Sequence, residues 1–259
     1  MKIKGYATTA FATAGLLLGS SAGAAISAGN FNLGQPAGEL FLAVWDPVNQ
    51  ISYTRDLGVD VLATDFSTAN LNFSADALFA QTFAGSDAAN LRYSVVGVNN
   101  DLTDELVLGV WTTSNSSNVD IPVNEFAALN SISQNILGYT IAVNEGAGTL
   151  DFAENVSSVI TDSDSSGYYG NPATFNETLG SIASFNTGAG IGDSLAFYSL
   201  VISNDTGGTL GVNQFASSWT LALNGDLSYS TAVIPVPPAL LLFGSALLGF
   251  VGFGRRNSA

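Results

Sequence analysis

The chain has 259 residues, of which 47% are hydrophobic and only 10% charged, and it contains neither Cys nor His. The absence of these two residue types excludes disulfides, thiolate metal sites, Cys nucleophiles and catalytic triads that need a histidine. All 21 acidic residues lie between Glu39 and Asp226, where only Arg55 and Arg92 oppose them, so this body carries a net charge of 2 − 21 = −19. Such a charge argues against nucleic-acid binding, which depends on neutralising phosphates with Lys and Arg.

Residues 1–24 are predicted to form a secretory signal peptide. The positive n-region, the apolar h-region and the A-x-A cleavage pattern are formed by Lys2 and Lys4, by residues 10–18, and by Ala22 and Ala24. Cleavage is expected after Ala24, or one residue later after Ala25. The apolar run is too short for a membrane-spanning helix and leads into small residues, so we expect export through the general machinery and removal by signal peptidase.

Residues 25–233 are predicted to form an exported domain rich in β-strands. Runs of alternating apolar and polar residues that contain Phe, Tyr and Trp are typical of half-buried strands. The predicted strands are Glu39–Trp45, Gln50–Arg55, Val59–Ala63, Leu91–Val98, Leu106–Thr112, Leu195–Ile202, Trp219–Leu223 and Leu227–Thr231. Asp46–Asn49 is a predicted turn, and Asn224–Gly225 a predicted two-residue hairpin turn. Helices do not alternate with these strands, which favours an antiparallel β-sandwich or jelly roll.

One segment of the body has helical periodicity instead. Phe126, Leu129 and Ile136 recur at near-helical spacing after Pro122, which predicts one amphipathic helix over Val123–Leu137. Asp76–Phe83 is compatible with either a short helix or a short strand.

A loop in the second half of the body resembles the opening of a Ca²⁺-binding loop. Asp162, Asp164 and Ser166 supply oxygen atoms at the first, third and fifth positions, and Gly167 stands at the sixth. The twelfth position, where an EF-hand needs Glu, is Ala173, so the full motif fails. Two interpretations stay open, a Ca²⁺ site and a solvated acidic turn; no other cofactor is predicted.

An acidic cluster in the first half of the body has a second possible chemical role. Asp101, Asp104 and Glu105 could supply the paired carboxyls of a glycan hydrolase, although an acidic loop is usually only solvated.

Aromatic side chains could stack on sugars. The three tryptophans, Trp45, Trp111 and Trp219, lie in predicted strands, where core packing is the stronger interpretation. Tyr168 and Tyr169 lie in a Gly-rich loop and are predicted to be an exposed pair.

The C-terminal tail, residues 234–259, has three parts. The prolines of the segment Pro235, Val236, Pro237, Pro238 fix an extended, accessible chain. Residues 239–253 are almost entirely apolar, and as a helix they would reach about 22 Å, against about 30 Å for the hydrocarbon core. Arg255 and Arg256 follow and are expected to stay on the cytoplasmic side. The tail therefore predicts a marginal, transmembrane-like helix with the body outside the inner membrane.

This tripartite pattern resembles the PEP-CTERM class of sorting tails in its Val-Pro-x-Pro variant, over 26 of the 259 residues. The variant signal reads roughly V-P-L-P-A-A, and Ile234–Ala239 departs from it in the leading Ile, the Val between the prolines and the extra Pro238. The resemblance implies export in a Gram-negative bacterium that makes exopolysaccharide. It further implies a transient hold in the inner membrane and cleavage near the prolines by an exosortase, a membrane protease.

Together these features predict a non-enzymatic structural protein of the cell surface or of an exopolysaccharide-containing biofilm matrix. A carbohydrate- or Ca²⁺-binding, lectin-like module is the first alternative, and a carboxylate-dependent glycan hydrolase is the second.

Overall fold

The computed structural model of the chain describes residues 25–101, 108–115, 125–147, 157–171, 187–203 and 209–231. Within these residues the chain is mainly β, as the sequence predicts, with ten antiparallel strands and two α-helices. The strands are β1 Glu39–Asp46, β2 Ile51–Asp60, β3 Leu71–Phe73, β4 Arg92–Asn99, β5 Gly109–Ser114, β6 Ser157–Ile160, β7 Ala189–Gly190, β8 Ser194–Ser203, β9 Thr209–Leu221 and β10 Leu227–Thr231. The helices are α1 Ala77–Thr82 and α2 Glu125–Ala147, and short 3-10 turns occupy Phe31–Leu33 and Ala88–Asn90.

The described strands form one curled sheet. Nine of them follow the order β3-β10-β9-β8-β5-β4-β1-β2-β6, and the tenth, β7, pairs with β4. The curl gives the sheet an outer face, which α2 covers, and an inner face, which packs against α1 and the segment that precedes β3.

Both faces of the sheet are apolar, because successive side chains of a strand point to opposite sides. In β1, Phe41 and Ala43 belong to the outer cluster with Leu129 and Ile136 of α2, whereas Leu42 belongs to the inner cluster. Burial on both sides explains why β1 reads as a nearly continuous apolar run.

Aromatic rings fill the inner cluster. The ring centroid of Trp219 lies 4.9 Å from that of Tyr229, and the ring of Phe197 lies 5.2 Å from that of Phe66. All three tryptophans are buried, which confirms their prediction as core residues.

The long helix starts near its predicted position but is longer than predicted. It runs from Glu125 to Ala147, ten residues past Leu137, because Tyr139, Val143 and Asn144 continue the buried stripe against the sheet. The ambiguous segment Asp76–Phe83 forms α1, where the Asp76 carboxylate caps the helix by accepting a 2.8 Å hydrogen bond from the Phe79 N–H.

The predicted separate strand Val59–Ala63 is wrong. Val59 and Asp60 complete β2, and the next three residues form a turn. The Asp60 carboxylate closes this turn by accepting hydrogen bonds from the backbone of Leu62 and Ala63, at 2.7 and 2.9 Å. The apolar residues of this segment predicted a separate strand, but an aspartate turn ends β2 there instead.

The predicted hairpin near the end of the body is present with a longer turn. Leu221 pairs with Leu227, so the connection has five residues, 222–226, where two were predicted, and Gly225 adopts φ +89° within it. Strand β9 begins at Thr209, ten residues before the predicted start, and ends before Leu223.

Candidate functional site

Most of the predicted processing residues lie outside the described residues. They are Ala22 and Ala24 of the signal peptide, Pro235, Val236, Pro237 and Pro238 of the sorting signal, and Arg255 and Arg256. Asp104 and Glu105 also lie outside them. In the described part of the chain, no helix is long and apolar enough to cross a membrane.

The loop predicted as a Ca²⁺ site places two carboxylates at the surface. Asp162, Asp164 and Ser166 are exposed, and Asp162 Oδ1 already accepts a 3.0 Å hydrogen bond from the Asp164 N–H. Among the residues that the structure describes, no three acids come together in an arrangement suited to a metal ion. The described part of this loop therefore offers fewer charged ligands than the seven-coordinate sites of known Ca²⁺ loops use.

The tyrosines predicted to be exposed are buried, so that prediction is wrong. Tyr169 is fully buried: its ring lies 4.5 Å from that of Trp45, and its hydroxyl hydrogen-bonds with Ser94 and Thr187. Tyr168 is 5% exposed. Every Tyr and Trp within the described ranges is buried, so none of them offers a stacking platform for sugars at this surface.

The structure also shows a feature that sequence reasoning missed, a buried chain segment directly after the predicted cleavage site. Residues 25–30 are buried and cross the outer face of the sheet. Asn144 of α2 holds both backbone groups of Ile26, accepting from its N–H at 2.9 Å and donating to its carbonyl at 3.0 Å. Ser27 accepts a hydrogen bond from the Glu39 N–H, and Ala28 accepts one from the Asn100 N–H.

One carboxyl group contacts this segment, and a second lies near the first. Glu39 alternates onto the same face of β1 as Phe41, and Asp56 of β2 pairs opposite Phe41. Glu39 Oε2 accepts a 3.0 Å hydrogen bond from the Ser27 N–H, and Asp56 Oδ1 accepts one of 2.8 Å from the Gly58 N–H.

The environment of both groups disfavours their charged forms. Burial raises the pKa of Asp56 to about 6, against the partial compensation of hydrogen bonds from Gly58 and Leu57. Burial and the neighbouring charge of Asp56 raise the pKa of Glu39 to about 7. Among the carboxyl groups in the described part of the chain, these two have the most strongly raised pKa values.

A second cluster of polar residues lies where the ends of the curled sheet approach each other. Arg55 of β2 donates a 2.6 Å hydrogen bond to the carbonyl of Ser74, and Asp226 of the last turn accepts one of 2.9 Å from the Ala75 N–H. The segment between β3 and α1 thus contacts both β2 and the β9–β10 turn.

The sequence held a partial signal for the carboxyl pair, since an acid within an apolar strand such as Glu39 must either be paired or shift its pKa. Which residue it faces depends on strand register, which the sequence pattern did not provide.

Comparisons of the chain with protein-family models, with curated proteins and with solved structures found no match.

Proposed function

We propose that this chain is an exported, non-enzymatic structural protein of the bacterial cell surface or exopolysaccharide matrix. Its C-terminal tail holds it briefly in the inner membrane until an exosortase-type protease cuts near Pro235–Pro238. The observation that carries this proposal is the tripartite tail, in which a proline signal, an apolar stretch and paired arginines follow one another at the C-terminus.

The order of the chain is compatible with this proposal. Thr231, the last residue of β10, pairs with Ser217, and in the sequence three residues separate Thr231 from Pro235. Cleavage at the prolines would remove the apolar stretch and the arginines without removing any residue of β10.

The distribution of acids in the described domain is also compatible with a structural role. Asp46, Asp60 and Asp65 each accept hydrogen bonds from backbone N–H groups of the turns that follow them. These carboxylates stabilise turns and add negative charge at the same time. The resulting charge favours solubility outside the cell and disfavours direct binding to polyanions.

We further propose that the curl makes two layers of a β-sandwich or jelly roll, followed by a transmembrane-like helix in the tail. The inner cluster supports the first part, because it unites Val44 of β1 with Trp219 of β9, strands that lie four positions apart in the sheet order. The apolar composition of residues 239–253 supports the second.

The test of the function is the intact mass of the protein released from the cell surface. We expect a C-terminus close to the prolines and the loss of Arg255 and Arg256. A variant with Pro235, Pro237 and Pro238 replaced by Ala should keep both arginines and stay with the membrane. Released protein that retains its whole C-terminus would contradict the proposal.

Two measurements separate this function from its alternatives. Binding on a glycan array that depends on Ca²⁺ would favour a lectin-like module. Glycan cleavage that is lost on replacing Asp104 or Glu105 would favour a hydrolase.

A further inference from the structure

We propose that Glu39 and Asp56 form the binding site for the α-ammonium group that signal-peptide cleavage creates at Ala25. The inference rests on the proposed export, because this ammonium group exists only after cleavage behind Ala24. Removal of the leader would then place a second positive charge, beside that of Arg55, near the buried Asp56 and the half-buried Glu39.

The path of the buried segment points to this site. Ala28 bonds to Asn100, which directly follows β4, and Ser27 bonds to Glu39 of β1. The next strand in the sheet order is β2, which carries Asp56. Going backwards along the chain, residues 28 and 27 therefore step from the end of β4 to β1, and the same direction would bring residues 26 and 25 towards β2.

The contacts of Ile26 agree with this direction. Its backbone is held by Asn144, near the end of α2. Two residues later, a Cβ atom at Gly146 would come within 2.9 Å of Ile160 in β6, the neighbour of β2. Asn144 thus holds Ile26 over the side of the sheet on which β2 lies.

The length of the chain limits how far the new charge can lie from Glu39. The Ser27 nitrogen lies 3.0 Å from Glu39 Oε2. Two residues of extended chain span at most about 7 Å, so the nitrogen of Ala25 lies within about 10 Å of that oxygen. Ala25 is fully buried, and a buried ammonium group needs an anionic partner.

The charges around Glu39 fit an ammonium group as the partner. Asp56 and Asp60 both raise the pKa of Glu39, while the Ser27 N–H lowers it. Arg55 lowers the pKa of Asp56, but its guanidinium binds the Ser74 carbonyl. On α2, Glu145 follows Asn144 in the chain and is exposed. An opposite charge next to the pair would return both carboxyls towards their ionised forms.

The experiment uses the exported full chain and a variant with Gly-Ser inserted between Ala24 and Ala25. The variant keeps the leader and its cleavage site but displaces the new ammonium group by two residues. Reductive methylation of the α-amino group at pH 7 is followed by mass spectrometry of the N-terminal peptide. An opposite charge shifts a pKa by about one unit or more, so we expect the native amine to react at least about tenfold more slowly than the displaced one.

Burial alone would also slow the reaction, so charge variants make the distinction. Glu39→Gln and Asp56→Asn should each accelerate methylation of the native N-terminus severalfold and leave the insertion variant unchanged. Asp87→Asn is the matched control, because it removes one carboxylate at a helix cap that Asn also fills, before the opposite end of β4. If Glu39→Gln does not fold, Asp56→Asn carries the same test.

The outcomes separate this site from the proposed export. A chain that begins at Ala25 but reacts at a rate insensitive to both charge variants overturns the site and leaves export standing. A chain that keeps its leader overturns both. A mature chain that begins at another residue, such as Ile26, overturns the site at Ala25 but leaves the proposed export standing.

Discussion

Tyr53 of β2 donates a 2.8 Å hydrogen bond to Asp76, the residue that lies three positions after β3 and caps α1. Ser157 of β6 donates to the same carboxylate oxygen. Because β3 and β6 stand at opposite ends of the sheet order, one side chain joins the two ends of the curled sheet. Asp76 therefore links the two ends of the sheet through hydrogen bonds, and α1 is held beside it over the inner cluster.

Replacement of Asp76 by Ala should destabilise the protein by about 2–3 kcal/mol. The change removes the acceptor for Tyr53, Ser157 and the Phe79 N–H, and hydrogen bonds to a charged group contribute more than neutral ones. Urea unfolding measures the difference. Asp87→Ala is the control, since the Asp87 carboxylate accepts one such bond within the described ranges, from Ala89, and its loss should cost about 1 kcal/mol or less. An equal loss of unfolding free energy in the two variants would contradict the role of Asp76 in linking the two ends of the sheet.

The carboxyl pair predicts a pH dependence in any form of the chain whose N-terminus is displaced from Ala25. The folded-state pKa values of Glu39, about 7, and Asp56, about 6, exceed the unfolded values of about 4. The stability from these groups is therefore fully present below about pH 4 and is lost as the pH rises through 6 to 7.

In the Gly-Ser insertion variant, we thus expect this pair to lower the free energy of unfolding between about pH 5 and about pH 8. Adding Glu39→Gln should flatten that decline, and the chain that begins at Ala25 should show a smaller one. Denaturant titrations at the two pH values provide the measurement. A decline of the same size with and without Glu39→Gln would rule out Glu39 as its source.

The hydroxyl of Tyr93 links strands across the inner face. It hydrogen-bonds with the carbonyls of Asp193 and Trp219, at 2.6 and 3.0 Å. Tyr93→Phe leaves these carbonyls without that donor and should cost about 1–3 kcal/mol in urea unfolding. Tyr168→Phe is a matched control, because the Tyr168 hydroxyl makes no hydrogen bond among the described residues; its effect should stay within about 0.5 kcal/mol.

The exposed loop of Asp162, Asp164 and Ser166 should bind Ca²⁺ weakly at best. Two carboxylates, one of them already accepting a backbone hydrogen bond, correspond to a dissociation constant of about 1 mM or above. Ca²⁺ at about 1 mM would then add no more than about 0.4 kcal/mol to the free energy of unfolding. Calorimetric titration tests this, with Asp162→Asn as the comparison. Tight binding that is lost in that variant would revive the Ca²⁺-binding alternative.

Several elements could be predicted from the sequence because their signals are local. The predicted bounds of β10 agree with the structure, and those of β1 differ by one residue, since alternation and flanking turn residues mark both. The burial of Trp219 was also predictable, because a large apolar side chain in a strand is stabilised by packing.

Other features depend on contacts that no local pattern specifies. Tyr168 and Tyr169 lie in a Gly-rich loop, yet this loop folds onto the outer face, where Ser94 and Trp45 receive Tyr169. The pKa values of Glu39 and Asp56 depend on the pairing of β1 with β2, including a register shift between Leu40 and Phe41. That shift changes which residues of the two strands face each other.

The sequence by itself determined the compositional class of this protein, its strand-rich body and the two terminal segments that predict export and processing. Each of these depends on hydrophobicity, charge and proline content within a short stretch of chain. Tertiary structure decided which residues meet: Asp76 with Ser157, Ile26 with Asn144, and Ser27 with Glu39. These contacts join residues between 12 and 118 positions apart, and sheet order and strand register, rather than local preference, bring them together.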